Sequence, residues 1–362
     1  MLHVIKNPLS DFLKIHSVQI DSYVFRLHYK VTLAILSAFS ILVAPGTFFG
    51  EPVDCWFHDF TYKAFNTWCY VHSTFSVVRA ADHDTRDDAD PKHPYAVFLT
   101  RTEKDEVRFV DYYRWVCLSL TIQAICCYIP HHIWKILEGG KMKALTVGLD
   151  SLIVSKDCIK NVQLLVEYLQ KTLHSHDHYF YKQFLCESLN VINIVAQIAF
   201  MNSFLGSDFA LYGINVLSFN LTKGPSNDPA ARLFPTRTKC VYYKYTSYSG
   251  ELKSVEGICV LSQNPINAKI YCFLWFWFHG MAIIGAIVVV YRITEIISAS
   301  IRLRAIRSSS CTDPNDIYVV NRKLQVGDWF LLKNLKRNIS PEVYDELIIR
   351  IAKRLRGSVA NV

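Results

Sequence analysis

An all-α membrane protein is the fold class this sequence predicts, with four transmembrane helices, disulfide-braced extracellular loops of small β content, and a helical cytoplasmic domain. Three observations carry that reading. The composition is 51% hydrophobic and 14% aromatic with a mean hydropathy of +0.17, more apolar than a soluble chain of this size. Four apolar runs are long enough to cross a bilayer core, at residues 31–49, 113–134, 184–205 and 270–291. Of the 11 cysteines, Cys55 and Cys69 fall between the first and second runs, and Cys240 and Cys259 between the third and fourth. None of the others lies in either loop, and an even set in an oxidising compartment reads as two disulfides. Four cysteines allow three pairings, among which spacing does not choose.

Four spans leave both ends of the chain on one side, and Lys and Arg near the span ends say which. The side holding the termini has Arg26, Lys30, Lys135, Lys141, Lys143, Lys171, Lys182, Arg292, Arg302 and Arg304. The opposite side has Lys63, Arg101, Lys104, Arg108 and Lys269, half as many, so the termini are expected in the cytoplasm. The first run begins too late, and runs too long, for a signal peptide. The formal charge is +8, concentrated in residues 292–362, which hold 13 Lys and Arg against 7 Asp and Glu. That suits a tail beside anionic lipid rather than a nucleic-acid partner.

Residues 1–30 form a cytoplasmic amino-terminal segment in which Ser10 and Asp11 cap an amphipathic helix. In the first span, residues 31–49, Pro45 and Gly46 predict a bend or an early stop. The first extracellular loop, 50–112, contains Asp82, Asp84, Asp87, Asp88 and Asp90. These oxygens could hold Ca²⁺, but a run of like charge is ordinarily a solvated loop, here an acidic vestibule favouring cations. The second span, 113–134, is framed by Tyr112, Tyr113, Trp115 and Trp134, expected at headgroup level. Pro130 inside it predicts a packing kink.

The cytoplasmic loop, 135–183, has helical patterning in Ile159, Val162, Leu165, Val166 and Leu169. His174, His176 and His178 alternate there and read as a solvated turn rather than a metal or pH site. On the third span, 184–205, Glu187, Asn190, Asn193 and Gln197 fall within about 120° of one another at helical spacing, forming a polar seam between helices rather than a pore lining. In the second extracellular loop, 206–269, Asn220-Leu221-Thr222 is a glycosylation sequon, and Lys239 to Tyr248 reads as strands offering an edge to a partner. After the fourth span, 270–291, the tail 292–362 ends in a helix over Pro341 to Arg356; the sequon at Asn338 is expected to go unused on that side. No Walker, G-x-S-x-G, H-E-x-x-H or G-x-G-x-x-G motif is present and no C-x-x-C supports zinc, so neither an enzyme, a cofactor nor a metal is expected.

The run Tyr112-Tyr113-Arg114-Trp115-Val116-Cys117, followed by Tyr128, Pro130, Trp134, Lys135 and Glu138-Gly139-Gly140, resembles the second span of the innexins, the gap-junction proteins of invertebrates. Asn66 to Phe75, Tyr271 to Phe278, Gly327 to Leu332 and Asn338-Ile339-Ser340-Pro341 resemble them too, so the likeness covers nearly the whole chain in order. It departs at Arg114, where the family usually has Gln, and Trp68 and Tyr70 stand in swapped order. The resemblance implies pairings Cys55 to Cys259 and Cys69 to Cys240. It further implies an octameric ring, homomeric or heteromeric, that docks to a like ring on an adjacent cell and passes ions and small molecules by diffusion, with the amino-terminal segment at the pore mouth. An undocked hemichannel and a non-conducting adhesion or scaffold protein are the competing functions.

Overall fold

The computed structural model describes residues 18–57, 63–78, 106–149, 156–222, 229–245, 252–307 and 312–359. Four helices are long and apolar enough to cross a membrane: Tyr23–Phe48, Val116–Glu138, Asp177–Leu205 and Asn264–Ile297. The first differs from the sequence reading at its proline. Pro45 does not stop the first helix, which runs on to Phe48 and closes with Phe49 and Gly50 donating to the Pro45 carbonyl. Proline removes its own N–H yet still accepts, so the turn after it survives. Pro130, where the sequence predicts a kink, lies inside helix Val116–Glu138. The first helix contains a π-turn at Leu27–Val31, where the Thr32 hydroxyl donates to the Leu27 carbonyl.

The chain divides into two compact units, each described by itself. The sheet-bearing unit spans Leu33–Cys126 and Ile194–Met281. Its five strands are β1 (Asp54–Trp56), β2 (Thr74–Val78), β3 (Glu106–Val110), β4 (Arg237–Tyr245) and β5 (Leu252–Val260). They form one antiparallel sheet in the order β1-β5-β4-β2-β3. The edge expected over Lys239 to Tyr248 is occupied by a strand at Lys239. β4 pairs with β5 along its whole length and meets β2 at Lys239 on its other side. Beyond that point the Trp68 indole of helix Lys63–His72 donates to the Val241 carbonyl at 3.1 Å. Gly213 is needed where it stands: a Cβ there would enter the Trp275 ring.

The helical unit comprises Met1–Thr32, Cys127–Asn193 and Ala282–Val362. Helices Lys156–Lys171, Val326–Lys336 and Pro341–Val359 bury one apolar core that includes Val162, Val166, Trp329, Leu331, Leu335, Leu347 and Ala352. Ile159, expected on the buried face, is 36% exposed, and Cys158 is buried in its stead. Trp134 is fully buried against Tyr179 in this core, so its ring packs on protein. Gly327 packs so closely on the backbone of His176 and Asp177 that a Cβ would meet main-chain atoms, and its N–H donates to Asp177 Oδ1 at 2.8 Å.

Candidate functional site

In the sheet-bearing unit β1 adds to β5 so that Cys55 lies directly opposite Cys259, and the two are bonded. Cys69, on helix Lys63–His72, is bonded to Cys240 of β4. All four are buried, and the sulfurs of Cys55, Cys69 and Cys259 lie within 4.8 Å of one another. With every one of these sulfurs in a disulfide, none is a thiolate ligand. The bonds close chain separations of 204 and 171 residues, tying the two inter-span loops into one body. Cross-links over such distances remove much of the freedom of the unbonded loops. Phe65 and Trp68 pack edge to face on Tyr242, with Phe65 and Tyr242 centroids 4.7 Å apart, and Phe57 lies tilted against Phe65. The Asn66 carboxamide accepts from the Cys55 N–H at 2.9 Å, fixing the helix to β1.

Tyr112, Tyr113 and Arg114 form a 3-10 turn ahead of the helix that starts at Val116. Tyr112 and Tyr113 are buried, so their rings pack on protein. The Tyr112 hydroxyl donates to the Leu233 carbonyl, so an interior oxygen does what a headgroup would have done. Trp115 is 55% exposed, and Val116 is fully buried. The Arg114 guanidinium donates to the carbonyls of Tyr70 and Val71 and to Ser73 Oγ, at 3.0–3.1 Å. These groups end helix Lys63–His72, whose last carbonyls have no partner in the helix and carry its negative dipole end. Ser73 has a left-handed φ of 72°, which the Arg114 bond helps to hold. We expect Arg114→Ala to loosen the cysteine-bearing helix by about 1–2 kcal/mol, since charge-assisted bonds are lost in a side chain that is only partly screened. Limited proteolysis of the non-reduced protein checks this: an unchanged cleavage rate in residues 50–112 counts against it.

In the helical unit Glu187 accepts from Arg292 Nε at 2.8 Å and from Nη2 at 2.9 Å, joining helix Asp177–Leu205 to helix Asn264–Ile297. Arg292 Nη1 donates to Glu295 at 2.8 Å, and Glu295 also accepts from Lys333. Burial lowers the Lys333 ammonium below its ordinary pKa, with Glu295 opposing. Two cations and two anions thus form a neutral cluster, buried except for the partly exposed Lys333 and roofed by Phe330 over Arg292 and Trp329 over Lys333. Asn193 donates to Cys127 Sγ at 3.6 Å. Asn190 and Gln197 are also buried, at 2% and 6% exposure.

The histidine turn is corrected at one position. His176 is 2% exposed, and its Nδ1 shares a 2.8 Å hydrogen bond with Asp328, which also accepts the His174 N–H. Packing of the turn on Gly327 brings that carboxylate within reach. His178 is exposed. The partners of Glu187 were missed from sequence, although an ionisable residue inside a span implies one, and Arg292 was the available cation. The acidic stretch Asp82 to Asp90 lies outside the described residues, as does the amino-terminal amphipathic segment up to residue 17. The backbone of Asn220 is in the last turn of helix Tyr212–Thr222.

Four membrane-length helices whose connecting loops share one cross-linked sheet define a multi-pass membrane protein. The family model for Innexin matches residues 21–355. Innexin inx2 of Schistocerca americana is 40% identical over 352 residues, covering 96% of this chain and 97% of that relative. Innexin inx2 of Drosophila melanogaster is 39% identical over 353 residues, covering 96% and 95%. Innexin shaking-B of Drosophila melanogaster is 34% identical over 365 residues, covering 96% and 93%. The chain belongs to the innexin family. It is a gap-junction channel subunit, which passes ions and small molecules between cells, and not an enzyme.

Proposed function

We propose that copies of this chain assemble as an octameric ring around a pore and dock, through the disulfide-braced loops 50–112 and 206–269, to a like ring on an adjacent cell. The observation that carries this is the five-stranded sheet in which both loops take part and are cross-linked. A surface already ordered loses less entropy when it meets a partner. Disulfides need an oxidising compartment, which supports extracellular loops and cytoplasmic termini, as does the twofold excess of Lys and Arg on the terminal side. In this arrangement residues 1–30 contribute to the pore mouth, 135–183 and 292–362 form the cytoplasmic domain, lipid surrounds the spans at 31–49, 113–134, 184–205 and 270–291, and Asn220 is an extracellular glycan acceptor. The polar residues Glu187, Asn190, Asn193 and Gln197 act as a seam between helices.

Paired-cell recording tests the docking. Junctional conductance between two expressing cells is the expected result. Dye uptake by single cells without junctional current identifies a hemichannel, and neither signal identifies an adhesion or scaffold protein. Projection images of the purified, detergent-solubilised protein give the subunit count, and a solitary particle overturns the ring.

A further inference from the structure

The four loop cysteines make one cluster of sulfur rather than two separate bonds. Cys55 is bonded to Cys259 and Cys69 to Cys240, yet the sulfurs of Cys55, Cys69 and Cys259 all lie within 4.8 Å of one another. Thiol–disulfide exchange needs a thiolate and a disulfide sulfur that can reach each other. Opening the Cys55–Cys259 bond creates that pair at once, because Cys69 is the neighbouring electrophile. An isolated cross-link has no such second partner and can only reform or stay open.

The strand pairing says where a reagent enters. β1 is the end strand of the sheet, three residues long, and its register partners are on β5. β5 is itself held by β4 along nine residues. Few ladder bonds break when β1 lifts away, so local opening costs less there than along the β4–β5 pair. Cys55 rides on β1 and is 5% exposed, against 0% for Cys69 and Cys259 and 1% for Cys240. Its N–H donates to Asn66 Oδ1 at 2.9 Å, a bond that pins the strand to helix Lys63–His72. Opening of β1 presents Cys55 Sγ to an outside thiolate and leaves Cys259 on the sheet beside Cys69.

We propose that this cluster is a thiol-responsive exchange site: a small thiol entering at Cys55 converts the two native bonds into a single Cys69–Cys259 bond. A thiolate RS⁻ attacks Cys55 Sγ, forming an RS–Cys55 bond and breaking Cys55–Cys259, with the electron pair leaving on Cys259. The Cys259 thiolate attacks Cys69 Sγ, forming Cys69–Cys259 and leaving the electron pair on Cys240, which takes a proton from solvent. A second RS⁻ attacks the RS sulfur of the mixed disulfide, giving RSSR and a Cys55 thiolate that is protonated in turn. Two RSH are thereby oxidised to RSSR, and Cys55 and Cys240 are reduced to thiols. The two loops stay tied through Cys69 and Cys259, while β1 loses its bond to the sheet. Attack at Cys259 would instead leave the thiolate on Cys55, and a Cys55–Cys69 bond lies within one loop and unlinks the two. The full burial of Cys259 works against that route.

The test is partial reduction of the full-length, detergent-solubilised protein by the monothiol 2-mercaptoethanol, then alkylation with N-ethylmaleimide and peptide mapping without further reduction. The expected one-bond product holds Cys69–Cys259, with Cys240 alkylated and Cys55 either alkylated or carrying the monothiol. A one-bond product that keeps Cys69–Cys240 or Cys55–Cys259, or that holds Cys55–Cys69, overturns the proposal. Loss of both bonds with no one-bond product, or no reaction before the protein unfolds, overturns it as well. Asn66→Ala removes the bond that pins β1 and is expected to speed the loss of Cys55–Cys259 roughly twofold to tenfold, the range that one hydrogen bond gives, with the same product. An unchanged rate overturns entry at β1. Should Asn66→Ala fail to fold, the product map of the unaltered protein still decides.

Discussion

Cys55→Ser abolishes junctional conductance, Cys259→Ser does so to the same degree, and the double substitution is no worse than either. The expectation follows from the strand register. Cys55 and Cys259 face each other across the β1–β5 pair, and their bond holds a three-residue strand to the edge of the sheet. So short a strand has few ladder hydrogen bonds of its own, and removing a native disulfide typically costs about 2–5 kcal/mol. A second effect adds to the first. With Cys55 gone, the freed Cys259 thiolate lies within 4.8 Å of Cys69. It can attack Cys69 Sγ, forming a Cys259–Cys69 bond and releasing the Cys240 thiolate. The double substitution leaves no such attacker, which is why it is predicted to be no worse and, by this route, slightly milder. Paired-cell conductance measures function, and peptide mapping under non-reducing conditions detects the rearranged bond. Residual conductance in either single variant near that of the unaltered protein would sink the prediction.

Arg292→Met removes assembled protein from the cell surface almost completely, and adding Glu187→Gln recovers much of it. Arg292, Lys333, Glu187 and Glu295 balance as two charges of each sign, and the Arg292, Glu187 and Glu295 side chains are at most 8% exposed. Deleting Arg292 leaves two buried carboxylates against one lysine. An uncompensated buried charge costs about 3–5 kcal/mol, whereas a neutral replacement of both partners is often tolerated. Arg292→Lys keeps the charge but not the two-pronged bond to Glu187, and should fall between these outcomes. Surface biotinylation and thermal unfolding of the detergent-solubilised protein provide the readout. An Arg292→Met protein that melts with the unaltered one, or a double variant worse than the single, would show that the cluster is not carrying this load.

The two experiments also separate what could be seen in the residues from what could not. Four membrane-length helices were legible because length and apolarity are properties of a contiguous segment. That Tyr112, Tyr113 and Trp134 pack against protein was not legible, for an equally physical reason. A tyrosine near a span boundary satisfies its hydroxyl as well on the Leu233 carbonyl as at a headgroup, and the sequence around Tyr112 is the same in both cases. His176 has the company of a solvated turn in sequence, and becomes buried only because Asp328, far along the chain, is packed over it. Glu187 was placed on a polar stripe, but the stripe says nothing of Arg292 or Lys333.

Hydropathy, the cysteine positions and the sign of the flanking charges are local, so reading along the chain was enough for four apolar helices and cysteine-bearing loops between them. Which β-strand lies beside which, and which sulfur meets which, depend on contacts between residues far apart in the chain. Such contacts exist only once strands have chosen neighbours and helices have packed, since each is a short-range interaction between groups that the unfolded chain keeps far apart.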